Sequence, residues 1–233
     1  MFRRLFFVFS IIVGLFGCDF LPKQNKTAIE IEINDKKVCD SMGIDIEILK
    51  RIREFGDGKI EPFHYGLSRA ITDSNEIEIN PIHLIGITVG IKNADSYNTI
   101  FSLKDEFKKK GYTIFMLKNN NSVNDKPDRV GILNTTDKYK ILRDIKTSAF
   151  NYDIDNDSLI HIIELWDKDL DLELIGASGD YCEFLINKDP QNWRELAQQI
   201  YNICPNVVNQ GTGYLVVYKN EMMKNKRLYL WWD

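Results

Sequence analysis

The chain has 233 residues, of which 44% are hydrophobic and 27% charged, a balance that predicts a globular protein with a sizeable core. Its 30 Lys and Arg and 34 Asp and Glu give a formal net charge of −4. A mildly acidic surface repels the phosphate backbone, so this composition argues against a nucleic-acid partner.

The first residues predict a leader that directs the chain out of the cytoplasm. Arg3 and Arg4 precede an apolar run, Leu5–Phe16, which is too short to span a bilayer and has the length of a signal-peptide core. The step Gly17–Cys18 then resembles the cleavage site of bacterial lipoproteins. This resemblance implies cleavage after Gly17, modification of Cys18 with lipid, including palmitate, and attachment to the membrane. An uncleaved short N-terminal anchor is the alternative.

We expect the chain to lie in the cell envelope, on the periplasmic side of a membrane. Asp19 resembles the signal that retains enterobacterial lipoproteins in the inner membrane, so it favours that membrane. The expected organisation is a signal peptide (1–17), a tether (18–28), an N-terminal α+β segment (29–83) and a C-terminal α+β domain (84–233).

Apolar periodicity predicts an α+β fold, with a mixed sheet and helices packed on it. Ile29–Ile33 alternates as a strand does, and Asp45 is placed to cap a helix that Gly56 ends. Residues 56–66 are expected to form a loop, followed by strands near 67–72 and 76–79.

Residues 84–117 predict a βαβ unit. A strand over Leu84–Ile91 is followed by a helix that Asp95 caps and Gly111 ends, and then by a strand over Tyr112–Leu117. This unit contains enough chain for a parallel crossover.

The remaining chain continues to alternate between helices and strands. The predicted elements are a strand Arg129–Leu133, a helix from Thr136 to Ile145, a helix from Asp155 or Asp157, a hairpin of Glu173–Ala177 and Tyr181–Ile186, a helix from Asp189–Pro190 to Cys204, a helix with the face Leu215, Tyr218 and Met222, and a C-terminal strand Leu228–Trp232.

The C-terminal half, from about residue 125 to 233, resembles the bacterial domain-of-unknown-function family 4253. The resemblance rests on an ordered series of short motifs: Asn151–Asp153, Trp166, Leu174–Gly176, Tyr201, Cys204–Pro205, Val207–Val208, Gln210–Gly213 and Leu228–Asp233. It implies a fold unit with these boundaries and no established activity.

The sequence predicts no catalytic residue, metal site or cofactor. Its three histidines are scattered, and zinc-binding, redox and nucleophile-elbow motifs are absent. Asp153, Asp155 and Asp157 have the spacing of a calcium loop with Glu164, but Ser158 stands where that loop needs glycine. The alternative is an acid-rich helix N-terminus.

Three further features leave alternatives open. Gln210–Gly213 can offer N–H groups to an anion, or its glycines can simply form a turn. Cys182 and Cys204 can form a disulfide between strand and helix, or remain two buried thiols. Trp231 and Trp232 should point to opposite faces of a strand, one buried and one exposed.

Two functions fit these observations. The first is binding of a protein partner by a lipid-anchored envelope protein, with an immunity or accessory role as one form. The second is an envelope enzyme with an unfamiliar site built from the carboxylates Asp153, Asp155 and Asp233 with Asn151, Tyr152 and Gln210. The expected functional surface consists of Asn151, Tyr152, Gln210, Trp232 and Asp233.

Overall fold

The computed structural model describes residues 32–71, 77–92, 95–120 and 126–232, with backbone alone for residues 64–71 and 77–83. The helices are α1 (Ile33–Ser41), α2 (Ile46–Arg53), α3 (Ser96–Lys109), α4 (Lys138–Ile145), α5 (Asn156–Leu170), α6 (Trp193–Ile203) and α7 (Leu215–Asn225). The strands are β1 (Ile60–Ile71), β2 (Ile77–Ile91), β3 (Thr113–Lys118), β4 (Asp128–Leu133), β5 (Leu172–Ala177), β6 (Tyr181–Ile186) and β7 (Arg227–Trp231). A short 3-10 helix, Phe150–Tyr152, precedes α5, and a π-helix, Val207–Thr212, precedes α7. None of the helices within these ranges is long and apolar enough to cross a membrane.

A single mixed sheet confirms the predicted α+β class. Its strand order is β1-β2-β4-β3-β5-β6-β7, and all neighbours are antiparallel except β3 and β5. Because β2 and β3 each run antiparallel to β4, they are parallel to each other. The predicted βαβ unit is therefore present as β2–α3–β3, with β4 inserted between its two strands.

Helices cover the sheet on both faces. Along β3, Ile114 and Met116 join one apolar cluster and Phe115 joins the other, because successive side chains of a strand point to opposite faces. Apolar residues of α1, α2 and α3 lie in the first cluster, and those of α4, α5, α6 and α7 lie in the second. The core is thus divided by the sheet into two layers.

Two predicted helix starts are confirmed by their caps. The Asp45 carboxylate accepts a hydrogen bond from the Glu47 N–H at 2.9 Å, and Asp155 accepts one from the Ser158 N–H at 2.8 Å. Each carboxylate satisfies a backbone donor that has no partner within the helix. In α5 this capping uses one of the acids that had suggested a calcium loop.

Two other predicted starts are wrong by one to three residues. Asp137, rather than Thr136, caps α4 by accepting two backbone N–H groups. Likewise α6 begins after Asn192, whose side chain accepts two N–H groups, rather than at Asp189–Pro190. In both cases the residue that reaches two unpaired donors forms the cap.

The first helix, α1, was not predicted. The expected strand Ile29–Ile33 is wrong at Ile33, which begins α1, while residues 29–31 lie outside the described chain. One inward position of α1 holds Asp35, which is 5% exposed and accepts a 2.7 Å hydrogen bond from Arg53 Nε. A buried carboxylate in place of an apolar residue hides the helical pattern.

The predicted loop over 56–66 is also wrong, because β1 starts at Ile60. Pro62 and two irregularities between Pro62 and Leu67 break the alternation on which a strand prediction depends. Proline is tolerated here because β1 is an edge strand. The expected boundary between 83 and 84 falls inside β2, which pairs with both β1 and β4.

Candidate functional site

Several predicted site residues lie outside the described ranges. These are the cleavage residue Gly17, the lipidation residue Cys18 and the terminal Asp233. Their roles remain predictions, as does the tether over 18–28.

The C-terminal strand is docked in the core, with its two tryptophans on opposite faces as predicted. Trp232 is 3% exposed, and its indole Nε1 donates a 2.8 Å hydrogen bond to the carbonyl of Ile203, the last residue of α6. Trp231 is half-buried on the other face. Trp232 was expected to serve a functional surface, but its ring lies in the core. There it donates a hydrogen bond to a carbonyl that has no partner within the helix, at the end of α6.

The thiol of Cys204 caps the open edge of β7. It donates to the Trp231 carbonyl at 3.0 Å and accepts from the Trp231 N–H at 3.2 Å, while Tyr218 donates to the Tyr229 carbonyl. These side chains occupy backbone groups that a further strand would otherwise pair with. An exposed strand edge invites aggregation, so the arrangement protects β7.

Cys182 and Cys204 are both fully buried free thiols. Burial raises the pKa of Cys204 to about 11 and that of Cys182 well above its usual value. Both side chains are therefore protonated at neutral pH, which is unsuited to a nucleophilic thiolate. The structure therefore shows the second of the two expected alternatives, two buried thiols, in place of a disulfide between them.

A hydrogen bond joins two motifs that lie far apart in sequence. The Tyr152 hydroxyl donates to the Asn206 side-chain carbonyl, which links the 3-10 helix to the start of the π-helix. Asn206 is only 3% exposed, and its Nδ2 has no hydrogen-bond partner among the described residues. The bond brings Tyr152 close to the segment that carries Gln210.

The other described members of the proposed enzymatic site are not joined by direct contacts. Asn151, Asp153 and Gln210 are exposed, and no hydrogen bond or ion pair within the described ranges joins them to one another. Asp155 caps α5, as described above. Within the same ranges, no three His, Cys, Asp or Glu side chains are grouped closely enough to hold a metal ion.

Helix α7 and the residue before it carry apolar side chains on both the buried and the exposed side. Tyr218 and Met222 are buried against the core, as predicted. The opposite side exposes an apolar set that we call the outer α7 stripe, with the exposed fraction of each residue: Tyr214 (73%), Val216 (58%), Val217 (37%) and Met223 (37%). Polar residues of α7 are interspersed with these side chains, but several large apolar side chains exposed on one short segment make the outer α7 stripe a candidate binding surface.

A second exposed aromatic residue lies on an element connected to this region. Phe150 is 84% exposed on the 3-10 helix, which the Tyr152–Asn206 bond holds against the π-helix that precedes α7. Sequence reasoning missed both features. The run Leu215–Met223, with apolar residues at positions that face all sides of a helix, was the signal that could have revealed the stripe.

A buried ion pair was also missed. Glu183 of β6 is 3% exposed, accepts a hydrogen bond from the Tyr97 hydroxyl at 2.6 Å and pairs with Arg227 at 2.5 Å. The Arg227 guanidinium lies 4.3 Å from the centre of the Tyr97 ring. Burial raises the pKa of Glu183 above its usual value, although Arg227 and Tyr97 both oppose that shift.

The charge of the molecule is concentrated in its C-terminal part. Residues 129–233 contain 12 Lys and Arg and 16 Asp and Glu, a net of −4, whereas residues 1–128 contain 18 of each. The candidate surface therefore belongs to the acidic part of the chain.

A comparison with known protein families finds a match for this acidic part. Residues 129–233 match the model of a family described as Domain of unknown function (DUF4253). No curated protein and no solved structure matches the chain. The match confirms the resemblance expected for this region and covers the elements from β4 to β7, together with the outer α7 stripe.

Proposed function

We propose that this is a lipid-anchored protein of the bacterial cell envelope that acts by binding another protein through the outer α7 stripe. The exposed apolar side of α7 is the observation that carries the proposal. An immunity or accessory role, in which the partner is a secreted protein, is one form of it.

The composition of the stripe supports a protein partner. Exposed aromatic, Val and Met side chains offer apolar area, and the exposed polar residues Asn220, Glu221 and Lys224 lie among and beside them on the same helix. Protein interfaces likewise combine apolar area with polar side chains. Covering the stripe would remove apolar surface from water, which stabilises a complex.

The charge distribution favours a basic partner. The net charge of −4 in residues 129–233 creates a long-range attraction for a positively charged protein. Such attraction mainly accelerates association and selects among partners, while the apolar contact supplies most of the binding free energy.

The anchor can be tested separately. We expect Cys18→Ser to release the protein from the membrane fraction and to abolish labelling with radioactive palmitate, because the serine cannot form the thioether and no lipid is attached. Fractionation and labelling measure both effects. A Gln24→Ser change in the tether is the control and should alter neither. Unchanged labelling of the Cys18→Ser protein would contradict the anchor.

The outer α7 stripe can be tested by photo-crosslinking in intact cells. A photoreactive amino acid at Val216 should give one adduct of discrete mass with a second protein. Adding Met223→Asp should reduce its yield at least about tenfold, because the interface would bury an unpaired charge. Gel mobility and mass spectrometry of the adduct measure the result.

Leu165 provides a matched control on another helix. It is 48% exposed on α5, so a photoreactive residue there, or Leu165→Asp in place of Met223→Asp, samples an exposed apolar position outside the stripe. We expect no adduct at position 165 and no effect of Leu165→Asp on the adduct at position 216. Equal behaviour at both positions, or an adduct made of two copies of this chain, would contradict the proposal.

A further inference from the structure

The centre of the sheet contains a seam where two strands barely pair. β3 and β5 are parallel neighbours, and their register consists of the single pair Met116 and Gly176. Along this seam, side chains donate hydrogen bonds to backbone carbonyls of the two strands. The Tyr181 hydroxyl donates to Met116 O at 2.5 Å, and Lys138 Nζ donates to Leu172 O at 2.6 Å. The strands therefore separate toward their N-terminal ends.

A cleft opens where the strands separate. Its volume is ≈ 330 Å³, and Thr113 and Ile114 of β3 and Leu172 of β5 form part of its wall. We call it the seam cleft. Helix α3 borders it from one face of the sheet, and α4 and α5 border it from the other. Its size is within the range of small-molecule sites, which begins at about 300 Å³.

Charged pairs line the seam cleft on both sides. Lys104 lies 2.8 Å from Glu173, and their side chains are 21% and 16% exposed. Lys138 lies 2.6 Å from Asp167, with exposures of 22% and 19%. Forming a partly buried ion pair costs hydration of both charges. Apolar residues at these positions would therefore stabilise the fold about as much as the ion pairs do. Their presence around a cleft is better explained by a ligand.

Hydrogen bonds keep one of these carboxylates ionised. Burial alone would raise the pKa of Asp167, but bonds from Lys138, Tyr139 and the Leu172 N–H outweigh it and hold that pKa below its usual value. The Tyr139 hydroxyl donates to Asp167 at 2.5 Å. The cleft therefore presents fixed charges of both signs near neutral pH.

The signs of these charges select the class of ligand. Three lysines line the cleft (Lys104, Lys108 and Lys138), together with four acids (Asp137, Asp167, Asp171 and Glu173). A simple anion would meet the carboxylates, and a simple cation would meet the ammonium groups. A molecule with one group of each sign can satisfy both. We propose that the seam cleft binds a small zwitterion of the amino acid or dipeptide class.

The test uses the full chain in detergent and three ligands that share a dipeptide backbone and differ in which terminal charges they carry. These are alanyl-alanine, its N-acetyl derivative and its C-terminal amide. Isothermal titration should show saturable binding of the dipeptide, and each blocked derivative should bind at least about tenfold more weakly because one ionic contact is lost. Equal binding of a blocked derivative, or no binding of the dipeptide at about 10 mM, would overturn the proposal.

Two variants test whether the dipeptide binds in the seam cleft. Lys108 lines it, is 63% exposed and lies 3.7 Å from Glu173, whereas the neighbouring Lys109 is exposed and does not line it. Lys108→Met should weaken dipeptide binding about two- to fivefold, and Lys109→Met should leave it unchanged. Equal effects of the two changes would overturn the assignment to the cleft. Neither lysine is buried, so both variants should fold.

Discussion

Replacing Trp232 by alanine is expected to lower the free energy of unfolding by about 3–5 kcal/mol, the range found when a buried aromatic side chain is truncated. Trp232 is 3% exposed, and its indole also satisfies the carbonyl of Ile203 at the end of α6. The change therefore leaves a cavity under β7 and removes a hydrogen bond. Because small domains are stable by only about 5–15 kcal/mol, the variant should unfold at a much lower urea concentration.

Trp231 is the matched control for this prediction. It is the same residue type and directly precedes Trp232 at the end of β7, but it lies half-buried on the opposite face. Trp231→Ala should therefore lower the free energy of unfolding by less than half as much as Trp232→Ala. Similar losses for the two variants in urea titrations would show that Trp232 is not the docked residue.

Arg227→Met should destabilise the protein strongly, and more so at alkaline than at acidic pH. The change leaves Glu183 without its cationic partner while the carboxylate remains 3% exposed. Removing one member of a buried ion pair lowers the free energy of unfolding by about 3–5 kcal/mol. We expect a loss near this size at about pH 8, measured by urea unfolding.

The pH dependence follows from the proton on Glu183. Burial already raises the pKa of Glu183 in the folded state above its usual value of 4.5. Without Arg227 this pKa should rise further, so the folded protein holds a proton that the unfolded chain has released. The free energy of unfolding then falls as the pH rises from about 4.5 through the folded-state pKa. Arg227→Met should therefore be less harmful at about pH 5 than at about pH 8.

A second change isolates this carboxylate. In the double variant Arg227→Met with Glu183→Gln, the glutamine can still accept the hydrogen bond from Tyr97 and carries no charge at any pH. The extra loss of stability at alkaline pH should disappear in this protein. If the double variant keeps the same pH dependence, another group is responsible.

The sequence was most informative where the structure depends on local contacts. Asp45 and Asp155 cap the helices they were expected to cap, because a cap needs only a carboxylate and backbone groups two or three residues away. The hairpin of β5 and β6 was predicted because its turn and its alternation lie within one short segment. The buried face of α7 followed from the spacing of Tyr218 and Met222.

Features that depend on distant partners were missed. In β6, Glu183 follows the alternation of an outward-facing residue, and only its contacts with Tyr97 and Arg227 explain its burial. Likewise Asp35 makes α1 look polar until Arg53 is placed beside it. The seam cleft depends on how β3 and β5 are paired, which no local pattern specifies.

The position of β4 also decides the order in which the molecule can fold. β2 and β3 are separated in the sheet by a strand that the ribosome makes after both of them. Until β4 is made, β2 and β3 have no strand to pair with on their facing edges, and the apolar residues of β3 cannot pack into a complete sheet. The N-terminal half therefore cannot complete its part of the sheet until Asp128–Leu133 is in place between β2 and β3.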